Sequence, residues 1–203
     1  DVIITINYTA KDAGATFKTQ QVVPHLNDNI NYVMDELAGT AAGLNRMISL
    51  KREFPTELHQ FLHPADGADR HETVLSLNAN HFPHIFKDET LQCSKATIIL
   101  KLRDGFGPVS GMAANAFELD NVGTPPVFGN SNVSPQDANN QLGGLATIVL
   151  EHTGTPDPRT DWTLTALETN LSSGFGPAGL KVGTNRLNPE AIEDILILFN
   201  YSK

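Results

Sequence analysis

Ile192-Glu-Asp-Ile-Leu-Ile-Leu-Phe-Asn-Tyr201 is dense in β-branched and aromatic side chains and follows the turn-forming Asn188-Pro189, so it reads as a strand. Working back along the chain, short runs of the same character are candidate strands at Thr73–Asn78, Ala96–Arg103, Asn115–Asp120, Leu145–His152 and Trp162–Leu167. They are separated by Gly, Pro and Asn, with no helical periodicity between them. That pattern predicts a mainly β fold, an antiparallel β-sandwich of jelly-roll-like type, and excludes a doubly wound α/β domain, which needs crossover helices. Asp194-Ile-Leu-Ile-Leu-Phe-Asn-Tyr-Ser-Lys203 is echoed at the other end by Asp1-Val-Ile-Ile-Thr-Ile-Asn-Tyr-Thr-Ala10, and Ala96-Thr-Ile-Ile-Leu100 by Ala146-Thr-Ile-Val-Leu150. Residues 2–8 are thus a further strand, ended by the turn Lys11-Asp-Ala-Gly14, and are expected to lie beside Asp194–Tyr201 and to belong to a domain that begins upstream.

Before the strand series the period changes. Leu26, Ile30, Val33 or Met34, Leu37, Ala41 and Leu44 recur at helical spacing, with Asn27, Asp28, Asn31, Asp35 and Glu36 opposite. Pro24 suits the first turn of this amphipathic helix, and Gly39 or Gly43 its end. Met47–Lys51 reads as a short strand. A short second helix starts at Phe54-Pro-Thr-Glu57 and stops at His63, before Pro64, with Leu58, Phe61 and Leu62 as its buried stripe. The expected organisation is a strand and turn at 1–20, a helix and linker at 21–47, and the sandwich at 48–203. The stretch 121–144, rich in Gly, Pro, Asn and Ser, is expected to be a loop and is the first place to look for binding.

The 203 residues carry a formal net charge of −9. Without a basic stripe, nucleic acid and anionic membrane are poor partners. No run approaches the roughly 18 apolar residues of a membrane span. The single cysteine, Cys93, rules out an internal disulfide framework and a thiolate zinc site, and is expected to be buried.

His59 and His63 stand four apart on the short helix, the spacing of a helical metal site, with His71, His81 or His84 as a possible third ligand. The Glu of His-Glu-x-x-His is replaced by Gln60, so the general base is missing, and the alternative is a solvated helix face. Asp66, Asp69 and Glu72 form an acidic cluster without the alternation of an EF-hand loop. There is no Gly-x-Ser-x-Gly elbow and no phosphate-cradling loop, so neither enzymatic activity nor a cofactor is expected. Binding residues, if the long loop binds, are Asn121, Asn130, Asn132, Asp137 and Asn139, together with Trp162 as an aromatic platform on the rim. The competing reading of Trp162 is a core residue between two sheets.

Asp1-Val-Ile-Ile-Thr-Ile-Asn-Tyr-Thr-Ala-Lys-Asp-Ala-Gly14 resembles the strand and turn that close the TcB-binding region of TcA-type insecticidal toxin subunits, with Asn7 where that pattern commonly has Arg. Ile48-Ser-Leu-Lys-Arg-Glu-Phe-Pro-Thr-Glu57, Phe61-Leu62, Leu75, Leu77, Phe82-Pro83, Phe86 and Ile98–Leu102 resemble a segment of large proteins related to them. The resemblance covers about residues 1–103 and consists of strand and turn patterns. It implies a secreted or extracellular piece of a large bacterial toxin-complex A-component, serving assembly or receptor binding. The implied partners are other toxin subunits or a cell-surface receptor or glycan, with homo-oligomerisation through the parent protein; no active site is implied. The alternative is a lectin-like module using the loop at 121–144.

Overall fold

The structure, a computed structural model, describes residues 14–38, 43–104, 106, 117–121, 128–134, 146–152, 156–167, 181–182 and 186–203. The chain divides into two units, 1–41 and 42–203.

In the second unit, β1 (Leu44–Ser49) pairs antiparallel with β10 (Ile192–Ser202), and the other edge of β10 pairs with β3 (Gln92–Leu102). β6 (Ala146–His152) and then β5 (Phe128–Ser134) complete a five-stranded sheet of order β1-β10-β3-β6-β5. A three-stranded sheet has the order β2-β7-β4, formed by β2 (Arg70–Ser76), β7 (Asp161–Leu167) and β4 (Phe117–Asn121). β8 (Lys181–Val182) and β9 (Arg186–Leu187) pair with each other.

The pairings β1 with β10, β2 with β7 and β3 with β6 are nested, and β4 and β5 are neighbours. The first four strands therefore run back along the later ones as a long folded hairpin, rolled so that its successive pairs fall alternately in the two sheets. This is a jelly-roll arrangement, and it bears out the mainly β, sandwich-like expectation. The two near-identical pentapeptides meet in it: Ala96–Leu100 of β3 lies antiparallel to Ala146–Leu150 of β6, with Ile98 opposite Ile148.

Period-2 alternation fills the space between the sheets. Ile195, Ile197, Phe199 and Tyr201 are buried along β10, as are His71, Thr73 and Leu75 along β2, Phe117 and Leu119 on β4, and Trp162, Leu164 and Ala166 on β7. The Trp162 and Phe199 rings, from opposite sheets, lie 5.3 Å apart. Phe82 and Phe86 present T-shaped contacts to Tyr201 at 5.4 and 6.2 Å. Arg159 fastens the loop beneath them: it is paired with Asp157 at 2.7 Å and donates to the carbonyls of Phe86 and Glu89 at 2.8 and 2.6 Å.

In the first unit the helix begins ten residues before Pro24. α1 (Gly14–Phe17) passes through a π-turn (Lys18–Val22) into α2 (Val23–Ala38). Pro24 thus stands inside a continuous helical path and not in its first turn. The wide π-turn, in which Val23 N–H donates to the Lys18 carbonyl, lies immediately before it and makes room for a residue with no N–H and a bulky ring.

Other expectations are also corrected. The strand expected at Met47–Lys51 runs from Leu44 to Ser49 and so takes in residues assigned to the linker. It stops because Ser49 caps α3 (Leu50–Glu53): its hydroxyl donates to Asp194 at 2.6 Å and accepts from the Arg52 N–H, while Lys51 N–H donates to Asp194 at 2.9 Å. Gly43, just before β1, has φ +62°, and a Cβ there would stand 2.9 Å from the Tyr201 carbonyl oxygen. The stretch 121–144 is not wholly loop: β5 crosses it at an edge of the larger sheet, with a register shift between Asn130 and Asn132. Its Gly- and Asn-rich sequence has low strand propensity, which an edge position with a bulge tolerates. Residues 1–13 lie outside the described residues. The strand expected at residues 2–8 falls among them, and with it the pairing expected beside Asp194–Tyr201.

Candidate functional site

α4 (Pro55–Leu62) positions the site. Pro55 stands at its first turn, as expected, and Leu58, Phe61 and Leu62 are buried beneath it, with Phe61 5.7 Å from His71 and 6.5 Å from Phe117, ring to ring. Its opposite face carries His59 and leads to His63, both exposed, with ring centroids 4.3 Å apart. His63 Nδ1 lies 2.9 Å from the His59 carbonyl oxygen, which makes it the donor and leaves Nε2 as the second nitrogen.

Beside these rings is a cleft of about 260 Å³ between α4, α3, the end of β3 and the start of β10. Its floor is apolar: Pro55, Leu58, Leu62, Pro189 and Ile192. Its rim carries Lys51, His59, His63, Arg103 and Glu193. Glu193 accepts from Lys101 at 3.0 Å and from Lys51 at 3.3 Å. The hydrogen bond from Lys101, then that from Lys51, holds its carboxyl below the usual range, so it is ionised at neutral pH. Arg103 uses its backbone to join Ala191 and Phe106. Its guanidinium has no carboxylate partner among the described residues.

The weak metal candidates His59 and His63 gain no third ligand among the described residues. No group of three or more His, Cys, Asp or Glu side chains suited to a metal comes together among the described residues. His71 is fully buried, its Nδ1 donating to the Phe61 carbonyl at 2.6 Å and its Nε2 accepting the Leu187 N–H at 3.1 Å, an arrangement that requires the neutral imidazole. His81 accepts the Asn78 N–H in a capping box and stacks on Phe54 at 5.4 Å. In the acidic cluster, Asp69 pairs with Arg70 at 3.2 Å and Asp66 with Arg186 at 3.8 Å.

The suggested binding residues are dispersed. Trp162 is fully buried and donates its indole N–H to the Pro158 carbonyl at 3.0 Å, so it is the core residue and not a rim platform. Asn121 is buried at the end of β4 and donates to the Thr160 hydroxyl at 2.6 Å. Asn130 and Asn132 belong to β5, while Asp137 and Asn139 lie outside the described residues. Cys93 is buried and its thiol is pushed up to about 12 by burial, which leaves it inert as a nucleophile.

The cleft was half legible in the sequence. The four-residue spacing of His59 and His63 marks one wall, but Arg103 and Glu193 reach it only through the β3–β10 pairing and carry no local signal.

Comparison with profiles of known protein families, with curated proteins and with solved structures found no match.

Proposed function

We propose that the chain is a non-enzymatic β-sandwich module of a toxin-complex A-component-like protein, serving toxin assembly or receptor binding. The observation that carries the reading is the apolar side of the helical unit. Phe17, Val22 and Leu26 are 50, 44 and 54% exposed. A spacing of five across the π-turn and four beyond it carries Phe17, Val22, Leu26 and Ile30 along one side. Contiguous exposed apolar surface marks a place where another protein surface is covered. The sequence resemblance supplies the class of partner, a sibling toxin subunit.

The test compares the chain with a Phe17→Ser, Val22→Ser, Leu26→Ser variant for binding to the other toxin-complex components and to target cells. Binding by the parent chain, lost in the variant with sandwich melting unchanged, is the expected result. No binding by the parent, or equal binding by both, overturns the proposal.

A further inference from the structure

The cleft beside α4 has a charge at odds with the rest of the molecule. On a chain of net charge −9, Lys51 and Lys101 pair with one carboxylate, Glu193, and Arg103 lines the same cleft. The two lysines are engaged with that carboxylate, and Arg103 is left as a guanidinium without an acidic partner among the described residues. Next to it stand two imidazoles 4.3 Å apart, with no acid against either among the described residues. Below this cationic rim the floor is hydrocarbon, formed by Pro55, Leu58, Leu62 and Ile192.

We propose that the cleft binds a small organic carboxylate, with its apolar body on the Leu58–Leu62–Ile192 floor and its carboxylate on Arg103 and the His59–His63 pair. A guanidinium matches the planar geometry of a carboxylate through two parallel N–H donors, and such charge-assisted bonds are about twice as strong as neutral ones. His63, whose Nδ1 is committed to a backbone carbonyl, meets the ligand with Nε2, which is a donor in the imidazolium. The volume of about 260 Å³ limits the body to a single ring or a short branched chain. The same chemistry occurs in a free acid and at the C-terminus of a peptide ending in an apolar residue. The cleft is formed wholly by residues of the second unit, and its reading does not depend on the partner proposed for the helix.

The experiment follows the His59 and His63 ring signals of the full chain by NMR during titration with 3-phenylpropionate and with its amide. A parallel pair of titrations uses a tetrapeptide ending in Phe, with a free and with an amidated terminus. The acids are expected to move both rings and to bind about tenfold more tightly than the amides, a ratio that corresponds to loss of one charge-assisted contact. Arg103→Gln is expected to remove that advantage, and raising the salt concentration to weaken the acids but not the amides in the unaltered chain. Binding of the small acid identifies a free metabolite as the source, and binding of the peptide alone identifies a chain terminus. The proposal is overturned if neither acid moves the rings at about 10 mM. Equal binding of acid and amide, or no salt dependence, overturns it too, and so does unchanged acid affinity in Arg103→Gln.

Discussion

α4 and the helix of the first unit have the same kind of sequence, apolar residues at three- and four-residue intervals with polar residues opposite, and opposite fates. In α4 the stripe Leu58, Phe61 and Leu62 is buried against the sandwich, whereas Phe17, Val22 and Leu26 stand exposed. Periodicity thus says that one face of a helix is made to be covered, and says nothing about what covers it. For α4 the covering is supplied by β2 and β4 of the same unit. For the longer helix we assign it to another protein.

The sharpest contrast is chemical. Cys93 is the sole cysteine, and burial pushes its thiol up to about 12, so a Leu26→Cys variant holds one buried and one exposed thiol. Against an ordinary thiol near 8.5, ionisation alone makes the new cysteine roughly a thousandfold more reactive at pH 8. Timed alkylation with mass spectrometry measures the ratio; comparable rates at the two positions would mean that the helix is as covered as the core.

The next largest effect is on stability. Phe61→Ala removes a fully buried ring from beneath α4 and is expected to cost about 3–5 kcal/mol in denaturant unfolding. Leu26→Ala, at a half-exposed position, is expected to change it by less than about 0.5 kcal/mol. Equal losses would erase the distinction between the two helices. His71→Leu tests the polar side of the same packing. It strands the Phe61 carbonyl and the Leu187 N–H in the interior, at about 1–3 kcal/mol each. A His71→Gln variant, able to serve as donor and acceptor, should recover part of that loss.

Strand positions were readable because alternation and β-branched composition are local: the runs assigned near Ala96–Arg103, Trp162–Leu167 and Ile192–Tyr201 shift by only a few residues at their ends. β5 was not, since Phe128-Gly-Asn-Ser-Asn-Val-Ser134 has almost no strand propensity and is held by its pairing with β6. The start of the long helix was missed because Pro24 looks like a first turn, and only the π-turn ahead of it lets the helix begin at Gly14. Of the cleft, the helical pair His59 and His63 was visible; its other charged residues, Lys51, Arg103 and Glu193, were not, because they come to one lining from parts of the chain far apart in sequence.

The smallest expected effect separates the sandwich from the helical unit by pH. Burial works to raise the Asp157 carboxyl, but the hydrogen bonds and charge of Arg159, with backbone N–H groups, outweigh it and hold the group below its ordinary value. A carboxyl lowered on folding stabilises the fold above its unfolded pKa of about 3.9, and that contribution is lost as the pH falls through the folded value. The pair is partly exposed, so the loss is expected to be at most about 1 kcal/mol. Arg159→Gln should lower sandwich stability at pH 7 and flatten this part of its acid dependence. The comparison is made on the difference between the parent chain and Arg159→Gln at each pH, in which the contributions of all shared groups cancel. A difference that stays constant from pH 7 to pH 2 would show that Asp157 contributes no charge-dependent stability to the loop beneath Tyr201.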